Sequence, residues 1–174
     1  LVVAKFLSSA DSRVRADAAN TLARLRAKDG VEQLRALLSS DADPVVRANA
    51  ARVLGAAEDA ASLDALVARV SNDTDERVRV SSIRALASLK DARAAAPLIN
   101  RANALMPTYR ATKAGGMEHP REQNELLEIA TSLSRLLANT SDERVVAWLR
   151  ALRETEKAAP EFEIAFARVA PFIY

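Results

Sequence analysis

The sequence predicts an all-α chain in which pairs of helices stack side by side, an α-solenoid. Composition supplies the first reason. Of 174 residues 49% are hydrophobic but only 4% aromatic, and 37 alanines with 21 leucines make the mixture of a helix former. The second reason is an internal repeat, and the third is that each repeat holds two stretches of helical apolar spacing. Four glycines and six prolines are too few for the turns of an all-β sandwich, and 28% charged residues with so many apolar ones do not describe a disordered chain. The absence of cysteine excludes a disulfide scaffold and a cysteine-ligated metal. No apolar run approaches the roughly 18 residues that span a bilayer, and the first residues carry no signal peptide. The formal net charge is +2. It hides no strong polarity: residues 1–102 carry 16 basic and 13 acidic side chains and residues 103–174 carry 9 and 10. That balance argues weakly against a nucleic-acid or membrane-surface partner.

The repeat has a period of 32 residues. Val14-Arg15 recurs as Val46-Arg47 and Val78-Arg79, Asp11 as Asp43 and Asp75, and Leu22 as Leu54 and Leu86. A second set keeps the same step: Val2, Leu34, Leu66 and Leu98, then Phe6, Leu38, Val70 and Ala102. Regular units are expected at 11–38, 43–70 and 75–102, with residues 1–7 as the tail of a preceding unit's second helix. In the second copy Asp43 stands where an N-cap carboxylate accepts from orphan N–H groups, and Pro44 follows at the first helical position. Val46, Ala50, Val53, Leu54 and Ala57 mark the apolar face of helix A. After a break at Glu58 and Asp59, Leu63, Leu66, Val67 and Val70 mark helix B. The third copy repeats this with Val78, Ile83, Leu86 and Leu89, then Ala95, Leu98 and Ile99. Neither helix is stable alone, so the apolar faces must be buried within each pair and against neighbouring pairs.

Beyond residue 102 the period slips. Residues 103–122, NALMPTYRATKAGGMEHPRE, read as an inserted loop with two prolines and Gly115-Gly116. A fourth unit is expected at 123–153, with Leu126, Ile129, Ala130, Leu133, Leu136 and Leu137 on helix A. Its helix B begins at Asp142-Glu143-Arg144, which matches Asp91-Ala92-Arg93. Pro160 opens a last helix with Phe162, Ile164, Phe166 and Val169, so that 157–174 is a capping helix or a junction to more protein. About nine helices result, and the chain reads as a module of a larger protein.

The segments DSRVRADAANTLARL, DPVVRANAARVLGAA and DERVRVSSIRALASL, at this spacing, resemble HEAT repeats, particularly the short bacterial type also found in phycobilisome-lyase-like proteins. The resemblance covers residues 1 to about 102. It implies a right-handed superhelix of antiparallel helix pairs, about four repeats with partial end units, and says little about function. In such proteins the row Arg15, Arg47 and Arg79, with Asp11, Asp43 and Asp75 at the turns, is similar to an intramolecular ladder in which guanidinium groups bond turn carboxylates or carbonyls.

Partner-binding residues are sought on the B helices, which line the concave side of such arrays. Arg69 and Arg101 are one period apart, and Arg144 and Trp148 lie on the fourth helix B. Trp148 fits either a core gap or an exposed anchor. In the 103–122 loop, Tyr109 would be an anchor with Arg110 and Lys113 at its rim, or the loop is a mobile spacer. Catalysis has little to draw on. His119 is the only histidine, the aspartates suit caps, and no phosphate-binding glycine spacing or nucleophile-base signature is present. No cofactor or metal is expected. The reading is a non-catalytic scaffold that binds a protein or a neighbouring domain of its own chain, with a cytoplasmic location as the default. Two alternatives are a HEAT-like nucleic-acid binder, clamp or glycosylase-like, and an accessory resembling phycobilin lyases.

Overall fold

The computed structural model describes residues 2–140, 142–156, 162, 163 and 165–167. Among them there is no strand. The chain forms two compact units, Leu1–Leu89 and Lys90–Tyr174.

The first unit opens with a 3₁₀ helix, Val2–Ser8, followed by α1 (Ser12–Leu25), α2 (Val31–Ser40), α3 (Pro44–Ala56), α4 (Leu63–Asn72) and α5 (Glu76–Leu89). Helices α1, α3 and α5 are the A helices of the repeat and pack on one another in sequence, α1 on α3 and α3 on α5. The B helices α2 and α4 pack on α3 and α5 respectively and touch each other, and the 3₁₀ helix lies on α1. Two layers result, with the repeat's apolar columns between them. Leu22, Leu54 and Leu86 are fully buried, as are Leu34, Leu38, Leu66 and Val70.

Start and stop signals recur with the period. Asp11 accepts from the Arg13 N–H and Asp43 from the Val45 N–H, each at 2.8 Å. Asp75 does the same for Arg77, also at 2.8 Å. Each cap satisfies an orphan donor of the first turn. At the other end of each A helix stands a residue with positive φ: Arg26 (49°), Glu58 (51°) and Lys90 (57°), one period apart. The left-handed turn lets the Ala27 N–H reach the Leu22 carbonyl at 3.0 Å and the Asp59 N–H the Leu54 carbonyl at 3.0 Å. A single glycine sets how closely two A helices approach. A Cβ on Gly55 would lie 2.7 Å from Ala85 Cα, so the α3–α5 contact needs a residue without one.

The second unit holds α6 (Ala95–Ala114), α7 (Gln123–Thr140) and α8 (Glu143–Thr155), each packed on the other two. The expected loop from Asn103 to Glu122 is mostly helix: α6 runs through Pro107 to Ala114, and only residues 115–122 connect it to α7. The proline removes the N–H that would bond the Asn103 carbonyl, at a cost of about 3 kcal/mol. Ala102, Met106 and Tyr109, one helical stripe, are buried in return, and two such large side chains contribute roughly 1.5–3 kcal/mol each. Tyr109 is 1% exposed and its ring meets Phe162 edge-on at 6.1 Å. Phe162, Ala165 and Phe166 are buried here, and Ser134 Oγ donates to the Ala165 carbonyl at 3.3 Å. The remaining residues expected to form the last helix, Pro160, Ile164 and Val169, lie outside the described residues.

Candidate functional site

Two constellations hold part of the residues that the sequence singles out: an arginine ladder in the first unit and a groove between α6 and α8 in the second. In the ladder, Arg15 forms a bidentate pair with Asp41, Nε to Oδ2 at 2.7 Å and Nη2 to Oδ1 at 3.0 Å, and its Nη1 donates to the Ser9 and Ala10 carbonyls. One period on, Arg47 grips Asp73 with two bonds of 2.8 Å and donates to the carbonyls of Asp41 and Ala42. Arg79 donates to the carbonyls of Asp73 and Thr74. Each of the first two arginines thus ties the turn before its own helix to the turn one unit further along. The carboxylates that do this are Asp41 and Asp73, not Asp11, Asp43 or Asp75, which are spent as N-caps. A signal was present, since Asp41 and Asp73 are themselves 32 residues apart and each lies 26 residues after its arginine. That carboxylate column ends at Leu105.

Burial pushes the Asp41 and Asp73 carboxyls up, but hydrogen bonds from Arg15 and Arg47, the backbone N–H of Asp43 and Asp75, and the guanidinium charges outweigh it. Both are held below the usual carboxylate range. The same hydrogen bonds raise Arg15 and Arg47 above their ordinary value. These are structural pairs, with Asp41 and Asp73 side chains only 3% and 1% exposed.

Other candidate cations are also engaged. Arg69 reaches Asp73 at 3.5 Å, and its Nε is buried without a hydrogen-bond partner. Arg101 is bidentate to Glu125, at 2.6 and 3.2 Å, which joins α6 to α7. Arg144 folds back on its own cap residue, Asp142, at 2.6 Å, and that pairing together with the Arg144 N–H lowers the Asp142 carboxyl. Arg93 does the same with Asp91 at 2.6 Å. Lys113 Nζ donates to the Glu118 carbonyl at 3.2 Å. Tyr109, expected as an exposed anchor, is instead core.

The groove brings Arg110 and Trp148 together. Asn103, Met106, Pro107 and Arg110 occupy positions i, i+3, i+4 and i+7 of α6. Trp148, Ala151, Leu152 and Thr155 repeat that spacing on α8. The two stripes enclose about 260 Å³. Trp148 Nε1 donates to Asn103 Oδ1 at 3.0 Å at one end. At the other, Arg110 Nε donates to Glu156 Oε1 at 2.7 Å and Nη2 to Thr155 Oγ1 at 3.1 Å. Both cross-links span nearly the same sequence separation, so α6 and α8 run in the same direction, as successive B helices of a solenoid do. Trp148 is half-buried, neither core nor free: its indole N–H is fixed, and its ring forms one wall. The floor is apolar, from Met106, Pro107, Ala151 and Leu152. Helices α6 and α8 carry six basic residues against two acidic ones, and three of the six, Arg101, Arg110 and Arg144, are paired with Glu125, Glu156 and Asp142. Such a groove can seat an apolar side chain between polar ends. Among the described residues no three His, Asp or Glu side chains gather to hold a metal, and no helix is long and apolar enough to cross a membrane.

A profile of HEAT repeats matches residues 2–87 and again residues 31–112. The chain belongs to the HEAT-repeat family. Among solved structures, the complex of CpcE and CpcF of phycocyanin lyase from Nostoc sp. PCC7120 is similar over 93% of this HEAT-repeat chain, at 25% identity and a TM-score of 0.61. An engineered protein is similar over 85% at 21% identity and a TM-score of 0.54, a likeness of fold. The chain spans 66% of the length of either. No curated protein matches it.

Proposed function

We propose that the chain is a non-catalytic HEAT-repeat module that binds a protein partner through the α6–α8 groove. The observation that carries this reading is the pair of matched helical stripes, which leave an apolar slot with a tryptophan wall at one end and an arginine at the other. A partner segment would insert one apolar side chain over Met106 and Leu152, with polar groups meeting the Asn103 and Thr155 ends of the slot. Tryptophan and arginine are the residue types on which binding energy concentrates. The test uses Trp148 as its own reporter, since it is the only tryptophan. Titration with peptides carrying one apolar anchor should shift its emission, and Trp148→Ala in a folded chain should weaken partner recovery at least tenfold, about 1.4 kcal/mol. Undiminished recovery by that variant would remove the groove from the account. Tight DNA binding with steep salt dependence, little affected by the peptide, would favour the nucleic-acid alternative instead.

The likeness to the phycocyanin lyase complex supports a second reading, that the chain is one half of a two-chain lyase-type accessory. Copurification with a second HEAT-repeat chain and binding to a phycocyanin subunit would distinguish it.

A further inference from the structure

The fold leaves the bonding of one guanidinium incomplete, that of Arg69 on α4. Arg15, Arg35, Arg47 and Arg101 each set Nε and Nη2 on the two oxygens of one carboxylate, at 2.6–3.2 Å. Arg69 instead makes one long contact, Nη1 to Asp73 Oδ2 at 3.5 Å, and its Nε is buried without an acceptor. The cause is that Asp73 is already taken. Both of its oxygens hold Arg47, and Oδ1 also accepts the Asp75 N–H. Two guanidinium groups therefore share one carboxylate, and one positive charge is left over. Arginine cannot shed its proton to escape the shortage. The side chain is 25% exposed, so part of it is open to solvent. Ala65, one turn earlier on α4, and Ala68, its neighbour, are too short to cover it. Leu37 holds the same column of the repeat on α2, which packs against α4, and is half-buried.

We propose that Arg69 is a carboxylate-binding residue that takes one aspartate or glutamate side chain of a partner protein. The carboxylate meets Nη1 and Nη2 end-on, because Nε is closed off, and an apolar side chain beside it in the partner lies on Leu37. Paired oxygens on a planar fork are the arrangement that a guanidinium recognises best. A polyanion fits less well. Glu32 on α2 and Asp64 on α4 are both exposed, so a chain of phosphates is repelled where a single carboxylate is not. The site lies on the B helices of the first unit and does not depend on the α6–α8 groove.

The probe is a capped pentapeptide with one glutamate between two leucines, and its glutamine copy is the neutral match. Titrated into isotope-labelled chain, the glutamate peptide should shift the amide signals of Leu37, Ala65 and Ala68 and bind at least tenfold more tightly than the copy. Arg69→Met should remove that preference without lowering Tm, since the stem is kept and no short bond is lost. Arg101→Met supplies the contrast: it strands Glu125, which is 2% exposed, and should lower Tm by several degrees. Three results would each overturn the proposal: equal or undetectable binding of the two peptides, a glutamate preference that survives Arg69→Met, or a fall in Tm for Arg69→Met as large as that for Arg101→Met. The last would make Arg69 a structural pair. Shifts of the same amides by single-stranded DNA, lost in Arg69→Met and absent with the glutamate peptide, would overturn it too and make phosphate the ligand.

Discussion

Substitution of Asp73 by asparagine should be among the most damaging single changes in the first unit. The carboxylate receives two charge-assisted bonds of 2.8 Å from Arg47, a third contact from Arg69 at 3.5 Å, and the Asp75 N–H at 3.0 Å. Its side chain is 1% exposed and that of Arg47 12%. Asparagine keeps the shape and the acceptor for Asp75 but loses the charge and one of the two acceptors facing Arg47, leaving that guanidinium largely desolvated. Removing one partner of a buried pair costs about 3–5 kcal/mol. Arg47 retains its carbonyl bonds to Asp41 and Ala42, at 2.9 and 3.1 Å, which places the expected loss near the lower limit. A value of roughly 3 kcal/mol corresponds to a fall in Tm of about 10 °C for a chain of this size. Denaturant unfolding followed by far-UV circular dichroism measures it, with Asp11→Asn as the control because Asp11 is an exposed cap. That control should cost about 1 kcal/mol or less. The double variant with Arg47→Met should recover part of the loss, since the unpaired charge is gone. If Asp73→Asn cost no more than Asp11→Asn, the rung would not hold the units together and the reasoning would fail.

Acid should destabilise the chain. Six aspartates, Asp41, Asp43, Asp73, Asp75, Asp91 and Asp142, have native carboxyls held below their ordinary value. Their stabilisation is complete above the unfolded value of about 4 and is lost as pH falls through the lower native values, so Tm should fall steeply below about pH 4. A Tm that rose on acidification would contradict the pairing. Gly55→Ala should cost about 1–2 kcal/mol in a denaturant titration, because the gain in helix propensity is outweighed by pushing α3 off Ala85. Arg26→Gly should instead stabilise by roughly 0.5 kcal/mol, since glycine adopts the φ of 49° without strain but gives back part of the gain as unfolded-state entropy. A loss there would mean that the arginine side chain contributes something the turn conformation does not.

The stack in the first unit was legible because its signals are periodic. A column such as Leu22, Leu54 and Leu86 constrains three helices at once, and Asp11, Asp43 and Asp75 mark three starts. The left-handed residues Arg26, Glu58 and Lys90 were invisible for the opposite reason. Glycine usually marks that conformation, and here three long charged side chains hold it because the buried leucines on either side of the corner fix the path. The inserted segment was misread for a related cause. Pro107 and the glycine pair are local breaking signals, whereas Ala102, Met106 and Tyr109 form a helical stripe whose value depends on Phe162, more than fifty residues later. Among site residues, Trp148 and Arg110 were found by type, but the slot they bound depends on which face α6 turns to α8. The sequence leaves that unspecified once the period slips.

The ladder's rungs from Arg15 to Asp41 and from Arg47 to Asp73 are wired in series and not to a common centre. Opening the first releases the 3₁₀ segment and α1 while the second still clamps the turn ahead of α3 to the turn ahead of α5. Amide hydrogen exchange in this unit should therefore be graded, with α1 giving up its protons at lower free energy than α3 and α5. Such a stack frays from its margin inward, and a ligand that seats on the margin would slow exchange along the whole row.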